Sequence, residues 1–194
     1  MEPMPRVPPL DRPATYEDLM QAPDIVVAEI VNGELHVSPR PAPRHAHAAS
    51  SLGAEILLPY QRGRGGPGGW RILAEPELHL GRDVLVPDLA GWRLERMPRL
   101  PKAAHFSVAP DWVCEVMSPS TASLDRVKKL TIYAREQIVH AWLVDPAART
   151  LEVLRLEAGH WTILATHAGS EVLRAEPFTD IELELAALWD DEGP

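Results

Sequence analysis

The chain has 194 residues, of which 45% are hydrophobic and 24% charged, and this composition supports one well-formed core. Its net charge of −9 argues against a surface that is basic throughout, as in a general nucleic-acid-binding protein. A single cysteine, Cys114, excludes an internal disulfide, and no run of 18 apolar residues is present to span a membrane.

Proline dominates the N-terminal segment MEPMPRVPPLDRP, residues 1–13. Proline interrupts helices and central strands, so we interpret this segment as a tail or extended arm. Residues 14–194 are then expected to form a single folded domain. The segment lacks the apolar stretch of a secretory signal, and the lone cysteine suits a reducing compartment. We therefore expect a cytoplasmic protein with no membrane association.

A short helix and a hairpin are predicted next. TYEDLMQAP, residues 15–23, has Thr15 as a helix N-cap and acidic residues in its first turn. DIVVAEIVNGELHVSP, residues 24–39, has two apolar runs around Asn32-Gly33, which favours a type I′ turn. A second helix is predicted from about Arg44 to Leu58, with His45 on its apolar face.

Three strand-like segments follow a glycine-rich stretch. The stretch QRGRGGPGGW has no P-loop pattern and is interpreted as a flexible connection. The strand-like segments are WRILAEPELHLG, DVLVPDLAGWR and DWVCEVM, which are residues 70–81, 83–93 and 111–117. We predict one strand for each segment.

The rest of the chain predicts a helix, a strand, a hairpin and a last helix. The helix runs from about Ala122 to Glu136, with Ser120, Thr121 and Ser123 as candidate caps. The strand is IVHAWLVDP, the hairpin turns at Gly159, and FTDIELELAALW, residues 178–189, is predicted to be an amphipathic helix. Strands interleaved with helices indicate a mixed sheet with helices on its faces, and the strand–helix–strand unit around Ala122–Glu136 places its two strands side by side.

Acidic residues account for most of the charge near the C-terminus. Residues 171–194 contain eight acidic residues and one arginine, which leaves a net charge of −2 for the rest of the chain. A local basic surface, for example around Arg126, Lys128, Lys129 and Arg135, is compatible with this distribution. Solvated helix and loop faces are the alternative explanation of each basic cluster.

Two acidic residues interrupt apolar strands. Glu115 lies within WVCEVM, and Asp88 directly follows Pro87 in VLVPDLAGW. A lone buried carboxylate is strongly unfavourable, so each of them needs a partner. If the two strands are neighbours, the carboxylates converge at one edge of the sheet, where a divalent cation neutralises their repulsion. Oxygen ligands favour Mg²⁺ or Mn²⁺ over zinc, and such a metal activates water for attack on a phosphoryl group.

The motifs VPDLAGW, CEVMSPST, DRVKKLTIY and AWLVDP, in this order, resemble the Uma2-like proteins, also called DUF820. The stretch AEIVNGELHVSPRPAPRH also resembles this family, and the similarity covers roughly residues 13–190. The family is grouped with endonucleases of the PD-(D/E)XK superfamily. The resemblance implies an α/β (α+β) fold with a restriction-endonuclease-like mixed β-sheet flanked by helices. We expect an additional N-terminal hairpin and a C-terminal hairpin and helix around it.

Within this resemblance, Asp88 and Glu115 match the two metal-binding carboxylates, and Lys129 matches the catalytic lysine. The superfamily's lysine is expected two residues after Glu115, where this chain has Met117. The family carries a lysine on the following helix instead, in a Lys-Leu-x-x-Tyr context that Lys129 fits. Helical periodicity alone does not choose between Lys128 and Lys129. Two other roles compete for Lys129. It could form an ion pair with Asp125, or its side chain could extend past the apolar stripe to solvent.

His45 and Glu29 match further positions of the family. His45 is either a supporting site residue or a hydrogen-bonded, half-buried histidine. Glu29 is either a further metal ligand or an acid on the solvent face of its strand. Glu75 and Glu77 are weaker ligand candidates because they lie near the Asp88 strand.

Other chemistry-bearing residues have structural explanations. Cys114 is expected to fill the core, Trp112 and Trp142 lie inside strand runs, and Ser118 lacks a nucleophile elbow and is expected to cap the next helix. A serine or cysteine hydrolase is therefore disfavoured.

The leading functional hypothesis is a Mg²⁺- or Mn²⁺-dependent nuclease acting on nucleic acid, with DNA favoured. The alternative is a catalytically silent member of the fold that acts as a binding or scaffold protein, which the acidic balance and Met117 favour. A homodimer is a further expectation, based on the resemblance and on the apolar face of the predicted C-terminal helix. The residues of that face are Ile181, Leu183, Leu185, Leu188 and Trp189.

Overall fold

A six-stranded mixed sheet forms the centre of the computed structural model, which describes residues 11–119 and 121–189. The first ten residues of the predicted N-terminal tail, and Ser120 as a predicted helix cap, lie outside the described residues. The twelve strands in the described ranges are β1 (Val26–Val31), β2 (Glu34–Pro39), β3 (Trp70–Ala74), β4 (Leu78–Leu80), β5 (Asp83–Leu85), β6 (Leu89–Arg93), β7 (Trp112–Val116), β8 (His140–Asp145), β9 (Thr150–Glu157), β10 (His160–Ala168), β11 (Val172–Ala175) and β12 (Phe178–Glu184).

The strands form three sheets. The central sheet has the order β10-β9-β8-β7-β6-β3, a smaller sheet has the order β2-β1-β5-β4, and β11 pairs with β12. Strands β7 and β8 are parallel, as the strand–helix–strand unit predicted, while the other named pairs are antiparallel. The fold is therefore mixed α+β, as the sequence predicted.

Three α-helices lie in the described ranges, and two of them adjoin a π-helical turn. The helices are α1 (Tyr16–Met20), α2 (Pro43–Ile56) and α3 (Leu130–Arg135). A π-helical turn, Leu57–Gln61, continues α2, and a second one, Leu124–Lys129, precedes α3. Among the described helices, none is both long and apolar enough to cross a bilayer.

The predicted hairpin is present as β1 and β2. Val31 pairs with Glu34 across the turn, and Asn32 and Gly33 have φ angles of 53° and 81°. Positive φ at both central residues is the conformation of a type I′ turn, which an Asn-Gly sequence adopts readily. The helix cap is also confirmed, because the Thr15 side chain accepts a hydrogen bond from the Asp18 amide.

Two segments predicted as one strand each are split between the two larger sheets: residues 70–81 form β3 and β4, and residues 83–93 form β5 and β6. The chain leaves the smaller sheet after Leu85 and enters the central sheet at Leu89. Pro87 lies in this step, where its missing amide hydrogen removes no ladder hydrogen bond. The division places Asp88 at the junction of the two sheets, immediately before β6.

The central sheet is covered on both faces. One core cluster contains Leu52 and Ile56 of α2 together with Trp112 and Trp142 of the central strands. The other contains Tyr133 of α3, Val113 of β7 and several residues of the smaller sheet. The two helices that flank the central sheet therefore pack on opposite faces, with the smaller sheet beside α3.

The C-terminal helix predicted over residues 178–189 is wrong. Residues Phe178–Glu184 form β12, and only a 3₁₀ turn, Leu185–Leu188, follows. Ile181, Leu183 and Leu185 alternate with glutamates, which fits a strand, and β12 pairs with β11. Leu183, Leu185, Leu188 and Trp189 pack into the protein's own core, so they give no support to the expected homodimer.

Candidate functional site

Asp88 and Glu115 lie opposite one another at the end of two paired strands. Leu89 pairs with Cys114 in antiparallel register, so the next position along this ladder brings Asp88 opposite Glu115. Directly opposed residues point to the same face of a sheet. A hydrogen bond of 2.7 Å from the Val116 amide to Asp88 Oδ2 holds the Asp88 carboxylate against β7. The convergence that the sequence predicted for these two residues is therefore present.

A cavity of about 300 Å³ opens beside this pair. Its walls come from β1, the start of α2, the step before β6, the end of β7 and the π-helical turn before α3. The ionisable residues that line it are Glu29, Arg40, His45, Glu75, Asp88, Glu115, Asp125 and Lys129. All five residues proposed from the sequence for the site thus line one cavity.

Lys129 lies at the centre of a buried charge cluster. Its Nζ is 2.8 Å from Glu29 Oε1, 3.3 Å from Glu115 Oε2 and 3.3 Å from Asp125 Oδ1. Only 4% of the Lys129 side chain is exposed, so it does not extend to solvent. Burial opposes the Lys129 charge, but the three carboxylates outweigh it and raise the pKa of the lysine well above its ordinary value. The lysine is therefore a cation at neutral pH.

The π-helical turn explains why Lys129, and not Lys128, reaches the cavity. The Leu130 amide donates to the Asp125 carbonyl oxygen five residues earlier, which widens the helix at this point. Asp125 and Lys129 both point inward from this turn. Lys128 is 39% exposed and pairs with Glu34 at 2.7 Å. Of the two competing roles considered for Lys129, the ion pair with Asp125 is present and the extension to solvent is not.

Glu115 is the most buried of the acidic residues that line the cavity. It shares the sheet face of Val113, so it points towards α3, where the Tyr133 hydroxyl donates to its Oε1. Burial raises the pKa of Glu115 well above its ordinary value, and the nearby carboxylates raise it further, while Lys129 opposes the shift. The unusual acid in an apolar strand is therefore explained by partners on the next helix.

Asp88 is reached from the opposite face of the sheet. His45, near the start of α2, places its Nε2 3.2 Å from Asp88 Oδ1, and both side chains are 14% exposed. Burial lowers the pKa of His45, but the hydrogen bond and charge of Asp88 outweigh this and raise it overall. His45 is thus half-buried and hydrogen-bonded, and it also lines the cavity.

Glu29 and Asp125 complete the acidic wall. Of the two alternatives for Glu29, the solvent-face position is excluded, because Glu29 is 3% exposed and accepts a 2.8 Å hydrogen bond from the Val86 amide. Asp125, which the sequence suggests only as an ion-pair partner of Lys129, is equally buried and lines the cavity. Burial raises the pKa of Asp125. The sequence signal for Asp125 is its position four residues before Lys129, which places the two side chains on the same side of the helix.

The residues around the cavity fit a hard divalent cation. Each oxygen of Asp88 and of Glu115 accepts one hydrogen bond or ion pair from the protein, and each has a further lone pair. Carboxylate oxygens are the ligands preferred by Mg²⁺ and Mn²⁺. Three buried carboxylates surround one buried lysine, so additional positive charge would offset the remaining negative charge.

Several other sequence expectations are confirmed. Cys114 is fully buried in the core, where burial raises the pKa of its thiol well above the ordinary value. Trp112 and Trp142 are also core residues. Ser118 accepts a hydrogen bond of 3.3 Å from the Thr121 amide just before the helix, as a capping residue does. Of the two weaker candidates for metal ligands, Glu75 lines the cavity and Glu77 does not.

Comparison with known proteins gives a family and a fold. Residues 13–187 match the Uma2 family, described as "Putative restriction endonuclease". The chain is also similar to the crystal structure of a "putative nuclease belonging to DUF820" from Anabaena variabilis ATCC 29413. The two share 22% identity with a TM-score of 0.71, over 91% of this chain and 97% of the other. No curated protein matches the chain.

Proposed function

Because the chain belongs to the Uma2 family, we propose that it is a metal-dependent endonuclease that hydrolyses phosphodiester bonds in nucleic acid. The observation that carries the proposal is that Asp88 and Glu115, next to the Leu89–Cys114 pair of β6 and β7, line the same cavity as Lys129. We propose that these residues form a PD-(D/E)XK-type site in which the lysine comes from the following helix. We propose DNA as the substrate and Mg²⁺ or Mn²⁺ as the cofactor.

Asp88 and Glu115 would hold the metal ion. When bound, the ion would lower the pKa of a coordinated water and neutralise charge on the phosphoryl oxygens. The amide of Val116 and the hydroxyl of Tyr133 orient the two carboxylates, one on each residue. This orientation fixes the ligand oxygens before substrate arrives, which reduces the entropic cost of assembling the site.

Lys129 would stabilise the transition state by its charge. A lysine whose pKa is raised stays protonated, so it donates hydrogen bonds and does not abstract a proton from water. Its Nζ faces the oxygens of Glu29, Glu115 and Asp125, and these hold it within the cavity. We propose that Glu29 and Asp125 position this cation, while His45 orients Asp88 from the other side of the sheet.

Plasmid cleavage tests this proposal. Wild type, Asp88→Asn and Glu115→Gln would be incubated with supercoiled plasmid in the presence of Mg²⁺ or Mn²⁺, or with a chelator. Wild type is expected to nick or linearise the plasmid only with metal. Each amide variant is expected to lose at least about 100-fold in rate, because it removes a charged ligand without changing shape. Glu95→Gln is the control, since Glu95 is exposed and does not line the cavity.

Two results would reject the proposal. The first is equal cleavage by wild type and both site variants, which would identify a contaminating nuclease. The second is cleavage that persists undiminished in the presence of excess chelator. Circular dichroism of the variants separates loss of the site from loss of the fold.

A catalytically silent binding protein is the second candidate. Met117 occupies the position of the superfamily's lysine and packs into the core, and Lys129 is already surrounded by carboxylates. Calorimetric titration with Mg²⁺ and Mn²⁺ distinguishes the two functions. Binding heat that disappears in Asp88→Asn supports the nuclease, while the absence of binding to wild type favours the silent protein.

A further inference from the structure

A second cluster of metal-ligating side chains lies outside the acidic cavity. Glu77, His79 and His105 each offer one ligand atom, and these three atoms lie within 4.8 Å of one another. None of the three lines the cavity that contains Asp88 and Glu115. All three are half-buried, so the cluster is open to ions from solvent while its side chains remain held in place.

Strand geometry brings these residues together. Glu77 and His79 are two residues apart at β4, so they point to the same side, while Leu78 between them faces the core. Leu78 forms a parallel bridge with Phe106, which packs on the same core. His105 precedes Phe106 and therefore points to the side of Glu77 and His79.

Backbone hydrogen bonds fix this arrangement. The Phe106 amide donates to the Glu77 carbonyl at 2.9 Å, and the His79 amide donates to the Phe106 carbonyl at the same distance. The rings of His79 and His105 stack with centroids 3.8 Å apart. His79 lies on β4, Glu77 directly precedes it and His105 is next to the bridge residue Phe106, so these hydrogen bonds tie the loop that carries His105 to β4.

We propose that Glu77, His79 and His105 bind a zinc-class divalent cation, independently of the proposed nuclease metal. Two imidazoles and one carboxylate form a ligand set typical of zinc, with a fourth position open to water. Hard ions such as Mg²⁺ prefer oxygen ligands and are poorly suited to this cluster. Ligand atoms around a tetrahedral zinc lie about 3.3 Å apart, so small side-chain rotations complete the site.

Tyr16 supports the carboxylate of this site. Its hydroxyl donates to Glu77 Oε1 at 2.9 Å, and its ring packs edge-on against His79 at 4.8 Å. His79 Nε2 lies 2.7 Å from the same Glu77 oxygen, so these two ligand atoms are already adjacent. Tyr16 is therefore a positioning residue, which ties α1 to the proposed ligand Glu77.

Metal titration of the chelator-treated protein tests the site. Co²⁺ would be added to wild type, His79→Gln, His105→Gln and Glu77→Gln, and the visible absorption of protein-bound Co²⁺ recorded before displacement by Zn²⁺. Wild type is expected to bind one Co²⁺ that Zn²⁺ displaces and excess Mg²⁺ does not. Each ligand variant is expected to lose at least about 100-fold in affinity, and Tyr16→Phe about 10-fold.

Two controls separate this site from the acidic cavity. His160→Gln removes an exposed histidine outside the cluster and is expected to bind Co²⁺ like wild type. Asp88→Asn is expected to retain this binding although it abolishes the proposed nuclease activity. Wild type that binds no Co²⁺ or Zn²⁺, or binding that is unchanged in both His79→Gln and His105→Gln, would overturn the proposal. Binding lost in Asp88→Asn alone would assign the metal to the cavity instead.

Discussion

Lys129 is the residue on which the electrostatics of the acidic cavity depend. It is 4% exposed and lies within 3.3 Å of oxygens from three carboxylates, two of which are at most 4% exposed themselves. A buried charge without a partner is far more costly than the buried pair is favourable. We therefore expect the lysine to support the fold as well as the proposed chemistry. The pH dependence of stability tests its role in the fold.

Lys129→Met is expected to lower the free energy of unfolding by about 3–5 kcal/mol at neutral pH, since it leaves the carboxylates unpaired. The measurement is urea denaturation followed by circular dichroism. The adjacent Lys128→Met is the matched control, because Lys128 is 39% exposed, and its effect is expected to stay within about 0.5 kcal/mol. Equal effects of the two substitutions would contradict the buried role of Lys129.

The pH dependence of this variant follows from the same cluster. Burial raises the pKa of Glu115 and Asp125, and Lys129 opposes both shifts, so the variant has still higher pKa values. A carboxyl group with a raised pKa in the folded state stabilises at low pH and loses that contribution as pH rises. Lys129 itself stays charged from acidic to neutral pH, since its pKa is raised. The deficit of the variant should therefore be smaller in acid than at neutral pH.

The sequence predicted which residue types meet at the site, but not every position within it. Asp88 and Glu115 were identifiable because each interrupts an apolar strand, and strand order then brought them together. Lys128 and Lys129 were not distinguishable by α-helical periodicity. The π-helical turn changes that periodicity, and no local residue pattern signals it.

At the scale of elements, local patterns predicted the hairpin, the flanking helices and the parallel pair β7–β8. They failed where a long-range contact decided the structure. The segment around Pro87 was continuous in pattern, yet β5 pairs with β1 and β6 pairs with β3 and β7. Phe178–Glu184 was assigned to a helix although it is a strand, because alternating and helical patterns overlap in a short apolar segment.

The C-terminal strand β12 supports the helix that carries His45. Phe178 is fully buried, and its ring centroid lies between 4.7 and 5.5 Å from those of four other aromatic residues. These residues are Tyr60, Trp70, Trp112 and Trp142. The following 3₁₀ turn packs in the same core cluster as Leu52 and Ile56 of α2. The position of His45 beside Asp88 thus depends on elements distant in sequence.

Phe178→Ala is expected to destabilise the protein by about 3–5 kcal/mol, because it leaves a cavity among rings that cannot collapse to fill it. Thermal denaturation checks the size of this loss. Ile163→Ala, at a residue that is 56% exposed, is the control and is expected to change stability little. A small effect of Phe178→Ala would show that β12 does not anchor the core.

At the scale of the whole molecule, the charge distribution restricts how nucleic acid approaches. The protein has a net charge of −9, so long-range attraction of a polyanion is weak, and contacts near the cavity must supply the affinity. Arg40 is exposed, lines the cavity and donates a hydrogen bond of 3.0 Å to the Asp24 carbonyl oxygen. A guanidinium has five N–H donors, which leaves capacity for a phosphate.

Arg40→Gln is therefore expected to weaken nucleic-acid binding about equally for all sequences and to reduce its salt dependence. Each lost phosphate contact lowers the slope of log affinity against log salt concentration by about 1. Fluorescence anisotropy with a labelled duplex, in the Glu115→Gln background to prevent cleavage, measures both quantities. Arg82→Gln is the matched control, because Arg82 is exposed and does not line the cavity. An unchanged slope in Arg40→Gln would show that the duplex approaches by another face, whereas equal losses in both variants would indicate non-specific attraction to arginine.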